Sequence, residues 1–82
     1  MKDEFLEHLL AIIKSKKDEN PEKSYTAMLQ QSEINETLKK IEEEAYEVID
    51  AVKLKNKSNI VHEVADLWFH CLVLLAKKNL TV

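Results

Sequence analysis

No glycine occurs anywhere in this 82-residue chain, and it holds a single proline. That absence excludes much of fold space. Two-residue β-hairpin turns need positive φ, which glycine adopts at least cost. A chain without it reads as helices joined by polar loops. Hydrophobic residues make up 45% of the sequence, and they recur at helical steps of three and four. Phe5, Leu6, Leu9, Leu10, Ile12 and Ile13 predict a first helix over 3–17, with Asp3 as N-cap and Lys14, Lys16 and Lys17 in its last turn. The polar segment 18–24 around Pro21 is a loop. Ser24 or Thr26 then caps a short helix docked through Met28 and Leu29, or else these hydroxyls face a ligand.

Ser32 is the expected N-cap of a long helix ending near residue 54. Ile34, Leu38, Ile41, Ala45, Val48 and Val52 form one apolar stripe along it. Residues 55–58 make a turn, Ser58 caps a last helix over 59–78, and Asn79 suits the left-handed position that ends a helix. Over 67–76 the last helix is apolar nearly all round, apart from His70. A helix apolar on every side must be buried on every side, and in so short a chain a second copy is the expected cover. The predicted fold is all-α: a single-domain antiparallel helical bundle over 1–82, completed by homodimerisation.

The formal net charge of −3 argues against a nucleic-acid surface. Cys71 is the only cysteine, so no disulfide framework exists within the chain; its apolar surroundings predict a buried thiol. A reducing cytoplasm is the expected compartment. The acidic N-terminal residues do not read as a signal peptide, and the apolar run over 67–76 is too short to span a membrane.

Two acidic pairs stand out. Glu44 with Glu47, and Glu63 with Asp66, are each spaced i, i+3 on a predicted helix, so each pair shares a face. Antiparallel packing of the two helices would bring all four carboxylates together. Two unit charges about 4 Å apart repel by roughly 4 kcal/mol at an effective dielectric near 20. A hard cation converts that repulsion into binding, which points to a Mg²⁺ site. Glu42, Glu43 and Glu44 alone would read as a solvated face. Glu63 and Asp66 resist that reading, because charged residues on an otherwise apolar helix are rarely buried unpaired. His70, one turn after Asp66, is expected to hydrogen-bond that carboxylate or to pack in the core; proton carriage or phosphate contact is the alternative. His62 and His8 read as surface residues. Lys40 falls on the same flank as Glu44 and Glu47 and is placed to hold a phosphate as a point charge. There is no closely spaced His or Cys pair for zinc, and no Gly-rich phosphate loop.

These residues resemble a family. Pro21-Glu22-Lys23-Ser24-Tyr25-Thr26-Ala27, the run from Lys39-Lys40 to Glu47-Val48, and Glu63-Val64-Ala65-Asp66 with the apolar stretch behind it are similar to phosphoribosyl-ATP pyrophosphohydrolase, within the MazG-like all-α NTP pyrophosphatases. The shared signature is Glu-Glu-x-x-Glu, a spacer, then Glu-x-x-Asp; here it is Glu43-Glu44-x-x-Glu47 and Glu63-x-x-Asp66. The resemblance implies Mg²⁺-dependent hydrolysis of phosphoribosyl-ATP to phosphoribosyl-AMP and pyrophosphate, the second step of histidine biosynthesis, by a dimer. It carries over Glu44, Glu47, Glu63 and Asp66 as metal ligands, and Glu43 as a further ligand or water-orienting group. Ser24, Tyr25, Thr26, Lys40 and His70 become candidate substrate contacts. The chain departs from the family pattern at Glu42, where glycine is frequent, and at Met28, where lysine is frequent. It also ends at Val82, where the family usually continues into a further helix. Two competing functions share these residues: a house-cleaning dNTP pyrophosphatase with the same metal chemistry, and a helical dimer without chemistry.

Overall fold

In a computed structural model describing residues 4–82, the chain forms four helices, with no strand among those residues. They are α1 (Glu4–Ser15), α2 (Tyr25–Gln31), α3 (Ile34–Lys53) and α4 (Lys57–Lys77). The all-α expectation holds. Asp3, the expected cap of α1, lies outside the described residues. Ser24 sits at the N-cap of α2, and its hydroxyl accepts from the Ala27 amide at 3.1 Å.

Two expected caps are corrected. Ser32 does not start α3; it ends α2, with its hydroxyl donating to the Leu29 carbonyl at 2.7 Å. The reason lies far along the chain. The Lys77 ammonium, at the end of α4, donates to the Leu29 carbonyl at 3.0 Å, to the Ser32 carbonyl and to the Ser32 hydroxyl at 3.0 Å. A cation suits the negative end of α2, and it fixes Ser32 there. Glu33 takes the N-cap position of α3 without a side-chain cap. Likewise Ser58 does not cap α4. Asn56 does, accepting from the Asn59 amide at 3.1 Å, so α4 begins two residues earlier than expected.

α3 and α4 both end with a left-handed residue, Lys55 at φ 57° and Asn79 at φ 55°. After α3, the Asn56 amide donates to Ala51 and the Lys55 amide to Val52; after α4, Leu80 donates to Leu75 and Asn79 to Ala76. These are Schellman closures, normally built on glycine. Asn79 fulfils its expected role, and asparagine tolerates that region; Lys55 occupies it against its preference.

α4 is the central element: α1, α2 and α3 all pack on it, α3 most extensively. The apolar core gathers Leu10 and Ile13 of α1, Leu29 of α2, and Leu72 and Val73 of α4. It therefore lies at the C-terminal half of α4. α3 lies along α4 with the face that carries Glu44, as the acidic pairs predict. Thr37, Glu44 and Ala51 are the buried residues of α3, seven apart and hence in one row. The apolar stripe stays outside: Leu38 and Val52 are exposed, and Ile34, Ile41, Ala45 and Val48 only partly covered. Nor is α4 buried all round within one chain. Trp68 and Val61 are exposed. Cys71, expected to be buried, is exposed too, although apolar neighbours still push its thiol pKa up. By length and composition α4 would suffice to cross a membrane, but its ionisable flank faces α3.

Candidate active site

The inward row of α3 carries Glu44 into the α3–α4 contact, where it is 6% exposed. Glu47 follows one turn later, and Glu63 approaches from α4. One carboxylate oxygen of each of these three lies within 4.8 Å of the other two. Asp66, the fourth expected member, forms a second group with Glu63 and His62 on the same scale. Glu63 belongs to both groups and joins them. Asp66 Oδ2 is 3.3 Å from His62 Nε2. The histidine beside Asp66 is thus His62, one turn before it, and not His70. His62 is on the surface as expected, yet the i, i+4 spacing to Asp66 was a legible signal for this pair.

His70 turns the other way. It is buried, its ring meets Phe69 edge-on with centroids 5.4 Å apart, and its Nε2 is 3.9 Å from Glu44 Oε1. That distance is beyond a hydrogen bond. Burial also pushes the imidazole pKa down, toward the neutral form, so the contact is no ion pair.

The cluster is electrostatically strained. Burial, then hydrogen bonding and repulsion from Glu47, with Asp66 and Glu63 adding to it, push the Glu44 carboxyl up to about 7. Glu63 is also raised, first by its hydrogen bond with Glu47 and then by burial. Glu47 is lowered, because Glu63 and Glu44 hydrogen-bond to it, with help from Lys40. Of the three, Glu47 is thus the most readily ionised. Even so, Glu44 Oε2 and Glu63 Oε2 are buried with no hydrogen-bond partner. Unpartnered buried oxygens in an all-carboxylate set are what a hard divalent cation satisfies, so these residues fit such an ion.

A cleft of about 560 Å³ adjoins the cluster. Glu43, Lys40 and His70 line its near end, Thr37 and Val73 its floor, and Tyr25 and Met28 its rim. Glu43 thus faces the cleft, apart from the three-carboxylate group, and Lys40 Nζ is 3.6 Å from its Oε2. Of the Ser24-Tyr25-Thr26 segment only Tyr25 reaches this cleft; its ring stacks on Phe69 at 6.4 Å and 15°. Ser24 is occupied as a cap, and Thr26 lies beneath Gln30, whose side chain donates to its carbonyl at 3.4 Å. Val73 and the wall role of Met28 were not foreseen. They come from two helices and share no spacing.

Comparison with known proteins agrees with the geometry. The sequence profile of the phosphoribosyl-ATP pyrophosphohydrolase family matches residues 6–82. The chain is 47% identical over 79 residues to a phosphoribosyl-ATP pyrophosphatase of Leptospira biflexa, covering 96% of this chain and 86% of that protein. A Methylococcus capsulatus protein of the same name is 48% identical over 75 residues, covering 92% of this chain and 71% of that protein. One from Hydrogenovibrio crunogenus is 42% identical over 85 residues, covering 99% and 75%. With the acidic signature in place on packed helices and the match running nearly end to end, this chain belongs to the phosphoribosyl-ATP pyrophosphohydrolase family.

Proposed function

We propose that this chain hydrolyses the α–β phosphoanhydride of phosphoribosyl-ATP, giving phosphoribosyl-AMP and pyrophosphate, in the cytoplasmic synthesis of histidine. The observation that carries the reading is the group Glu44, Glu47 and Glu63, with two buried oxygens lacking partners, in a chain of this family. Glu44, Glu47, Glu63 and Asp66 are the residues that would hold Mg²⁺. When bound, that ion neutralises phosphate oxygens and positions a water. The chain's own side chains supply the rest. Lys40, on the cleft side of the cluster, offers a point charge to a phosphate oxygen. Glu43 orients the water from the cleft side. The water oxygen attacks phosphorus in line, the bridging P–O bond breaks, pyrophosphate departs with the bonding pair, and a carboxylate of the cluster takes the water's proton. His70 closes the cluster against the cleft.

A homodimer is part of this proposal. Trp68, Val61, Leu38 and Val52 leave an apolar surface on α3 and α4, which a second copy would cover. No nucleic acid or membrane is involved in the reaction. Pyrophosphate release from phosphoribosyl-ATP, assayed with Mg²⁺ and with EDTA, tests the chemistry: metal-dependent release is expected. Faster cleavage of dNTPs would overturn the substrate. A well-folded monomer by sedimentation at micromolar concentration would overturn the dimer.

A further inference from the structure

We infer that the cleft between α2, α3 and α4 is a purine pocket, and that Met28 is one of its walls. This rests on the proposed hydrolysis and adds where the base of the substrate lies. The cleft has two walls of different character. Its α3 wall is polar along its whole length, with Glu36, Thr37, Lys39, Lys40 and Glu43, and Ser32 adds a hydroxyl. Its α2 wall is apolar, with Met28 and Leu29 beside Tyr25, and Val73 of α4 joins them. A purine has the same two characters, with apolar ring faces and hydrogen-bonding edges. Thr37 lies two turns from Glu44 on α3, about 10 Å at 1.5 Å per residue, which is the reach of a nucleoside from its 5′ phosphate. A volume of about 560 Å³ accommodates a nucleoside-sized group.

The walls are graded in exposure as well. Val73 is 1% exposed and Thr37 4%, so the floor is closed to solvent, whereas Met28 is 42% exposed at the rim. Tyr25 beside it is held by its stack on Phe69. A flexible thioether one turn from a braced aromatic ring on the same helix offers two apolar contacts for the face of a planar base. Lys77 holds the α2 end of this wall in place through the Leu29 carbonyl at 3.0 Å.

The test uses adenosine, which has neither phosphate nor a need for metal, titrated into the whole protein in EDTA and followed by methyl NMR. Saturable shifts of the Met28, Leu29 and Val73 methyls, with the Val61 methyls unmoved, are expected. Met28→Ala should weaken adenosine binding about fivefold, the fraction of a methionine side chain's burial that a half-exposed rim residue loses. Met28→Leu should restore it, and Mg²⁺ affinity should not change in either variant. Shifts produced by ribose 5-phosphate in place of adenosine would overturn the assignment and make the cleft a sugar-phosphate site. Adenosine that moves none of these methyls would also overturn it. The titration is read without turnover, so failure of the pocket and failure of the proposed hydrolysis are seen separately.

Discussion

Replacing Glu44 with Gln should stabilise the metal-free protein and destabilise it relative to wild type once Mg²⁺ is added. Glu44 is buried, one of its oxygens has no partner, and its carboxyl pKa is raised from 4.5 to about 7. A folded-state pKa above the unfolded value means that the native state holds the proton more tightly. The associated stability is complete below pH 4.5 and is lost as pH rises through about 7. At pH 8 the native state carries the full penalty, at about 1.4 kcal/mol per unit roughly 3 kcal/mol. Glu47 and Glu63 share that penalty by redistributing protons, so about 1–3 kcal/mol is assigned to Glu44. The Glu44→Gln amide keeps the shape and removes the charge. In EDTA at pH 8 the variant should melt higher, by about 4–8 °C for each kcal/mol in a domain of this size. With Mg²⁺ at a hundred times its dissociation constant, wild type should gain about 2.7 kcal/mol that the variant does not. The order of the two melting curves then reverses wherever the gap in EDTA is smaller than that gain. Circular dichroism in EDTA and in Mg²⁺ reads both effects, and the EDTA gap should close near pH 4.5. A variant less stable than wild type in EDTA at pH 8 would refute the reasoning, because it would show the Glu44 carboxylate to be satisfied in the native state.

The metal-free wild type should gain stability as pH falls from 8 to 5, since Glu44 and Glu63 are both raised. His70 opposes this, its pKa being lowered from 6.5 by burial, so its contribution is lost as pH falls below that value; His70→Gln should steepen the rise in urea midpoint. Lys77→Met should cost about 1–3 kcal/mol in urea unfolding, because carbonyls of Leu29 and Ser32 lose their donor. A loss below about 0.5 kcal/mol would show that water replaces the ammonium there. Lys55→Gly should raise stability by roughly 0.5–1 kcal/mol, since φ 57° suits glycine and strains lysine; unchanged stability would mean the turn relaxes.

Helix positions were legible because the 3.6-residue period is a local property. Which face of α3 turns inward was legible from the acidic pairs, which put Glu44 and Glu47 against α4, and not from the apolar stripe. The apolar stripe is its more hydrophobic side, and patterning alone sends it to the core. Yet α4 meets α3 with a flank bearing Glu63, Asp66 and His70. A stripe of isoleucine and valine laid on those groups would desolvate them without partners. The row of Thr37, Glu44 and Ala51 leaves them within reach of other polar groups and, at the cluster, of a cation. Ser32 failed as a cap for a similar reason: its hydroxyl suits either role locally, and Lys77, 45 residues away, decides between them.

The cluster itself was legible for a reason that the turn makes clear. Lys55, the left-handed residue after α3, is the pivot of the α3–α4 hairpin. Glu47 and Glu63 lie equally far along the chain on either side of it, and so do Glu44 and Asp66. In an antiparallel pair of helices, residues equidistant from the pivot stand at the same height, because both helices rise equally per residue. Height alone does not place a side chain. His62, on the same helix, draws Asp66 toward itself at 3.3 Å, and the third close carboxylate partner of Glu44 and Glu47 is Glu63 alone. An expected turn centred beyond Lys55, with Ser58 as cap, would have offset the two acidic pairs. The Asn56 cap and the Schellman closure at Lys55 bring them level, so two backbone details of a glycine-free turn set the register of the candidate metal site.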